Sequence, residues 1–265
     1  LEQILTEAGE LGYDGIDFRG LGTQLDVTRL PELTDKLSRS AGALRESGVS
    51  VSGISTGIRL YDPDHHEKHL EEARRTIKLA RELDAPFLRV FGGGEHHPEL
   101  DRANAVEVAS TFMEEILDLP DADSLTWVIE THDIWVRAAD LSALLEAVPA
   151  RNVGLAWDIA HTIRLASESA EETVKALGDR IAYVHVKDAL FEPEHRLAMS
   201  DGWRYVLPGT GAVPLAHALS LLSERGYDGW VCFEHEKRWQ AALEEPHTAL
   251  SAFIEWFSGL DIERN

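Results

Sequence analysis

Gly154-Leu-Ala-Trp-Asp158 is a short apolar run that ends on a carboxylate, and three further runs share its form: Trp127-Val-Ile-Glu130, Ala182-Tyr-Val-His185 and Val231-Cys-Phe-Glu234. A buried strand that ends on an ionisable residue must give that residue a partner. Four such strands side by side in a barrel aim three carboxylates and one imidazole at one point, for which a divalent cation is the natural occupant. Side chains alternate along a strand, so each ligand fixes which set points inward. Ahead of Asp158 the inward set is Gly154 and Ala156, both small, as a crowded barrel centre requires. Ahead of Glu234 it is Trp230 and Cys232; if the strand runs on, Glu236 also faces in and His235 away, while Lys187 shares a face with His185.

Outward from these runs the chain alternates helix and strand. Helical patterns cover Leu1–Leu11, Pro31–Glu46, His69–Leu83, Ala103–Leu117, Ala138–Ala147, Ser169–Leu177, Pro214–Glu224 and Pro246–Phe257. Strands are expected at Gly15–Arg19, Val49–Ser55, Phe87–Phe91, Thr126–Glu130, Val153–Asp158, Ile181–Val186 and Trp230–Glu234. This βα rhythm predicts an α/β fold, a (β/α)8 TIM barrel forming a single domain over residues 1–265. Seven strands do not close the usual barrel, and Leu1–Leu11 reads as its first helix, so the first strand is expected upstream of Leu1. Gly12-Tyr-Asp-Gly15 and Gly226-Tyr-Asp-Gly229 echo each other, each a helix stop feeding a strand. After His185 the stretch Lys187 to Gly211, with Trp203, Tyr205 and Pro208-Gly-Thr-Gly211, is long for a barrel loop and reads as a lid on the active face.

Among 265 residues, 47 acidic side chains stand against 25 basic ones, a net charge of −22. Such a field repels phosphate backbones and anionic membranes, which argues against nucleic-acid and membrane partners. The single cysteine, Cys232, sits in an apolar run and reads as a small core residue; it excludes a disulfide within the chain. No stretch reads as a signal peptide or as a bilayer-spanning run, so the expectation is a cytoplasmic enzyme.

The order Glu130, then Asp158-x-x-His161, His185-Val-Lys-Asp188 and Gly226-Tyr-Asp-Gly-Trp230 followed by Phe233-Glu-x-Glu236, resembles the xylose isomerase-like barrel superfamily of sugar phosphate isomerases and epimerases. Its members include ketose 3-epimerases, hydroxypyruvate isomerase, inosose isomerase, inosose dehydratase and the endonuclease IV branch. The resemblance covers essentially the whole chain and is specific for fold and metal site rather than for substrate. It implies Glu130, Asp158, His185 and Glu234 as metal ligands and His161 as a substrate contact. It also implies Glu130 and Glu234 as the catalytic pair that removes and returns a proton through an enediolate. Three oxygens and a nitrogen suit Mn²⁺ first, with Mg²⁺, Co²⁺ or Zn²⁺ as other occupants.

The remaining candidates each carry two readings. His161 follows Asp158 at helical spacing, as a substrate contact or as a helix-start residue. His132 and Asp133 fit a proton shuttle or a solvated loop. Lys187 suits a substrate oxygen or a salt bridge to a nearby carboxylate, and Glu236 could orient a ligand from behind. Phe91-Gly-Gly-Gly94-Glu-His-His lacks the spacing of a phosphate-binding motif and reads as a loop. His65-His66 reads as the solvated start of a helix.

The expected function is a metal-dependent isomerase or epimerase of a small sugar or polyol ketone in carbohydrate metabolism. A metal-dependent lyase or dehydratase acting on a keto-sugar or keto-inositol is the alternative, and a non-catalytic barrel subunit working with a partner chain is a third. A small-molecule sugar or polyol is the expected partner, with assembly into a homo-oligomer left open. An endonuclease would need a basic groove, which the charge disfavours.

Overall fold

The computed structural model describes residues 1–95 and 100–262, so His96 and His97 of the glycine-led loop lie outside the described residues. Its strands are β1 (Gly15–Phe18), β2 (Ser50–Tyr61), β3 (Phe87–Gly93), β4 (Thr126–Glu130), β5 (Val153–Asp158), β6 (Ile181–Val186), β7 (Asp188–Phe191), β8 (Trp203–Val206) and β9 (Trp230–Phe233). Seven of them form one sheet in the order β1-β2-β3-β4-β5-β6-β9, and β7 and β8 pair separately. By backbone contacts the chain divides into two compact units, Leu1–Trp135 with Asp140–Leu155, and Val136–Ala139 with Ala156–Asn265.

In the first unit β1 to β4 pair in parallel, each with the next. Helix α1 (Glu2–Leu11) stops at Gly12, whose φ of 82° is open to glycine without strain, and the N–H of Tyr13 reaches back to the Ala8 carbonyl at 2.9 Å. The echo in the second unit behaves alike: Gly226 has φ 79° and Tyr227 N–H bonds the Leu222 carbonyl at 3.0 Å.

The pattern over Pro31–Glu46 is not one helix. A 3₁₀ turn at Pro31–Leu33 is closed off by Thr34, whose hydroxyl donates to the Leu30 carbonyl, and α2 starts afresh at Leu37 and runs to Ser47. Local hydroxyl bonding of this kind competes with helix continuation.

Strand β2 runs six residues past the expected Ser55, with a register break between Ser55 and Arg59. Side chains replace the ladder there. Thr56 Oγ1 donates to the Arg89 carbonyl at 2.8 Å and accepts the Ile58 N–H, while the Gly57 N–H donates to the buried Glu72 at 2.7 Å.

In the second unit β6 and β9 pair in parallel with His185 opposite Cys232. The long stretch after His185 is not irregular: β7 and β8 form an antiparallel hairpin, with Phe191 and Trp203 edge to face at its far end, 5.7 Å between centroids. Its return is tied down by Asp188, whose carboxylate accepts the N–H groups of Ala189, Gly209, Gly211 and Val213 at 2.8–3.3 Å. A Cβ at Gly211 would lie 2.0 Å from that carboxylate, so only glycine fits. Among the described residues no helix is long and apolar enough to cross a membrane.

Candidate metal centre

Asp158 closes β5 and caps the helical turn that follows, Ile159–His161, its Oδ1 accepting the His161 N–H at 3.0 Å. An aspartate is a favoured residue for that role, since it satisfies a donor that the first turn leaves open. The same turn brings His161 Nδ1 to 3.3 Å from Asp158 Oδ2. His185 is buried near the end of β6 with its ring edge to Tyr183 at 5.5 Å. Glu234 stands one residue past β9, and its N–H still donates to the Val186 carbonyl, so the ladder carries it beside the end of β6. Asp158, His185 and Glu234 each offer a ligand atom, all within 4.8 Å of one another.

Lys187, only 3% exposed, is set among the carboxylates. Its Nζ lies 2.8 Å from Asp158 Oδ2, 2.5 Å from Glu234 Oε2 and 2.6 Å from Glu236 Oε1. Burial would lower its pKa, but Asp158, then Glu234 and Glu236, outweigh burial and hold the ammonium well above the ordinary lysine range. Glu236 is pushed up by burial and by Glu234, against the pull of Lys187.

Tyr205 on β8 joins Lys187, Phe233, Glu234 and Glu236 in lining a narrow pocket. Burial pushes its phenol up to about 12, so it stays protonated at neutral pH. Arg164 fixes it. This guanidinium leaves a π-helical turn, Thr162–Ala166, and donates to Tyr205 Oη at 2.8 Å and to Asp201 Oδ2 at 2.6 Å. Sequence reasoning singled out Tyr205 only as part of a lid and missed Arg164 and Asp201; the π turn after His161 leaves no pattern in the residues that would reveal it.

In the first unit Glu130 ends β4 at 1% exposure and meets Arg89 of β3, Nε to Oε2 at 3.1 Å. Arg89 also donates to the Thr56 carbonyl at 2.9 Å and lies 3.8 Å over the Phe91 ring. His132 Nδ1 pairs with Asp133 at 2.8 Å, and its ring packs on Phe91. Burial lowers its pKa, but Asp133 and then Glu130 outweigh burial and raise it. The glycine run serves packing: a Cβ at Gly92 would fall 2.1 Å from the Trp135 ring. His65 is not merely solvated, since it and His69 both bond Asp62 at 3.0 Å.

A buried aspartate, a buried imidazole and a half-buried glutamate converging in this way are a donor set for a divalent cation of borderline to hard character. Residues 5–259 match the family described as xylose isomerase-like TIM barrel. The chain belongs to that family. Fructoselysine 3-epimerase of Shigella flexneri is 21% identical over 248 residues, 88% of this chain and 84% of that protein. Two solved structures share the fold of this family member across nearly its full length. The IOLI protein with a bound zinc atom superposes with a TM-score of 0.79 at 20% identity, over 98% of this chain and 94% of that one. The probable 3-DHS dehydratase AsbF of Bacillus anthracis gives 0.78 at 18% identity, over 99% and 93%. The expected α/β barrel class is thereby borne out, with seven parallel strands among the described residues.

Proposed function

We propose that this chain is a divalent-metal-dependent isomerase or epimerase of a small sugar or polyol ketone, working as one barrel domain. The observation that carries the reading is the convergence of Asp158, His185 and Glu234 from the ends of three strands of one sheet. Glu130, at the end of a fourth strand of that sheet, is proposed as the fourth ligand. Mn²⁺ is the proposed ion because the donors are mainly oxygens, and a zinc atom in a similar protein marks the fold as hospitable to a divalent cation.

Once bound, the ion supplies Lewis acidity, which polarises a ketone and acidifies its neighbouring C–H. The proton is then handled by side chains. Glu130 and Glu234 are assigned as the acid–base pair, one taking the proton and the other returning it. His161 and His132 are assigned to substrate hydroxyls, and Lys187 and Glu236, already joined to each other, to the pocket wall beside Tyr205. A second reading, a dehydratase, is favoured by the likeness to AsbF, since water loss next to a ketone begins with the same proton removal.

The test is turnover of a panel of free and phosphorylated ketoses in heavy water with the Mn²⁺-loaded protein. Epimerisation with deuterium at the carbon beside the carbonyl is expected. An unsaturated product would favour the dehydratase, and turnover without any exchange, in product or as tritium washout, would sink proton-transfer chemistry. Glu→Gln at position 130 or 234, checked for retained metal, should lower kcat by at least about a hundredfold.

A further inference from the structure

Lys187 and the proposed ion want the same oxygens. The ammonium lies 2.8 Å from Asp158 Oδ2 and donates to Glu234 Oε2 at 2.5 Å, and these two carboxylates are among the proposed oxygen ligands that converge with His185. Glu236 accepts from the same ammonium at 2.6 Å, while Arg164 is committed to Asp201 and Tyr205. Asp158, Glu234 and Glu236 together with Lys187 sum to a charge of −2, which a divalent cation brings to zero.

We infer that Lys187 is a resident counter-charge: in the ion-free chain it holds Asp158 and Glu234 together, and the ion is bound against its positive charge. The inference rests on the metal reading above. Two consequences follow from electrostatics. A cation a few ångströms from the ion's place in a buried pocket opposes ion binding, because little solvent screens the repulsion. Conversely, without either cation the carboxylates repel one another, so Lys187 is what lets the chain fold before the ion arrives.

Mn²⁺ binding followed by calorimetry and by loss of the free-ion resonance signal tests this without any substrate. Lys187→Met should bind Mn²⁺ at least about tenfold more tightly than the wild type, a gain of about 1.4 kcal/mol. In chelator the same variant should melt lower than the wild type, and Mn²⁺ should raise its midpoint by more. Lys187→Arg, which keeps the charge, should return both readouts toward wild type. Glu236→Gln, which removes a negative charge without touching a proposed ligand, should bind Mn²⁺ more weakly. If Lys187→Met folds only with Mn²⁺ present, the counter-charge role holds in its strongest form; if it fails to fold even then, the role is overturned.

A lysine that merely braces the ligands would give the opposite result, with Lys187→Met binding Mn²⁺ equally or more weakly. That result, beside a wild type that binds, overturns this inference and leaves the metal reading standing. No Mn²⁺ binding by either protein overturns both.

Discussion

The buried cations Arg89 and Lys187 both stand beside carboxylates, and the protein treats them in opposite ways. Arg89 has a closed environment: one carboxylate, Glu130, a carbonyl from Thr56, and the face of Phe91. The charges of Arg89 and Glu130 cancel, and both side chains are almost fully hidden. Lys187 instead meets Asp158, Glu234 and Glu236, and that group keeps a surplus of two negative charges. A balanced buried pair holds its carboxylate in place, as a proposed ligand needs, and removing either partner strands a charge in low dielectric. An unbalanced group is poised to take up more positive charge, which is what a binding site for a cation requires.

The same substitution in the two places should therefore give very unequal outcomes in chelator. Glu130→Gln leaves the Arg89 guanidinium buried without its counter-charge and should cost about 3–5 kcal/mol in denaturant unfolding. Glu234→Gln lowers the surplus in its group from −2 to −1 at a side chain that is 30% exposed. Its stability should stay within about 1 kcal/mol of wild type, in either direction. Equal losses at the two sites would erase the distinction between a closed pair and an open cluster.

The strand-end ionisable residues were legible because a terminal charge on an apolar run has only a few physical explanations; β9 stops at Phe233, however, so strand parity does not carry to Glu236, which meets Lys187 beside Glu234 from the start of a 3₁₀ turn. Arg89 was equally visible inside Leu88-Arg-Val90 and went unread, although a charge in the middle of a buried run demands a partner as firmly as one at its end. The β7–β8 hairpin was hidden for another reason. Each strand has four residues and the connection runs from Glu192 to Gly202, so no two-residue turn signal announces the pairing. In β2 the strand was expected to end at Ser55, yet it continues through Gly57, whose N–H is taken up by Glu72, fifteen residues away on α3 (His66–Glu82).

A milder change sharpens the account of the closed pair. Arg89→Lys keeps the charge next to Glu130, so an account built on charge alone expects no loss. Arg89 also uses a second nitrogen for the Thr56 carbonyl and sits over the Phe91 ring, which a lysine cannot do together. The loss should be about 2 kcal/mol, from the stacking and the hydrogen bond combined. A variant as stable as the wild type would reduce the pair to simple charge neutralisation.

A third ion group extends the comparison toward solvent, where the effect should be smallest. Asp26 accepts from the Thr28 backbone N–H at 3.0 Å and from its hydroxyl, and meets Arg29 at 2.9 Å and Arg75 at 3.0 Å. Burial alone would raise its pKa; Thr28, Arg29 and Arg75 outweigh it and hold the carboxyl below the usual range. Because the folded value is the lower one, its contribution is present above the unfolded pKa of about 4 and is lost as the pH falls through the folded value. Arg75 and Arg29 are 30% and 62% exposed, so solvent screens the group, and Asp26→Asn should cost about 1 kcal/mol at pH 7. Asparagine still accepts the Thr28 N–H, so the cost isolates the charge and should shrink steadily below about pH 4, where the wild-type aspartate takes up a proton in the unfolded chain before it does so in the folded one. Unfolding measured at pH 7, 4 and 3 checks this: a cost that stays constant over the range would assign the loss to hydrogen-bond geometry, and the gradation from buried pair to exposed pair would then not be electrostatic.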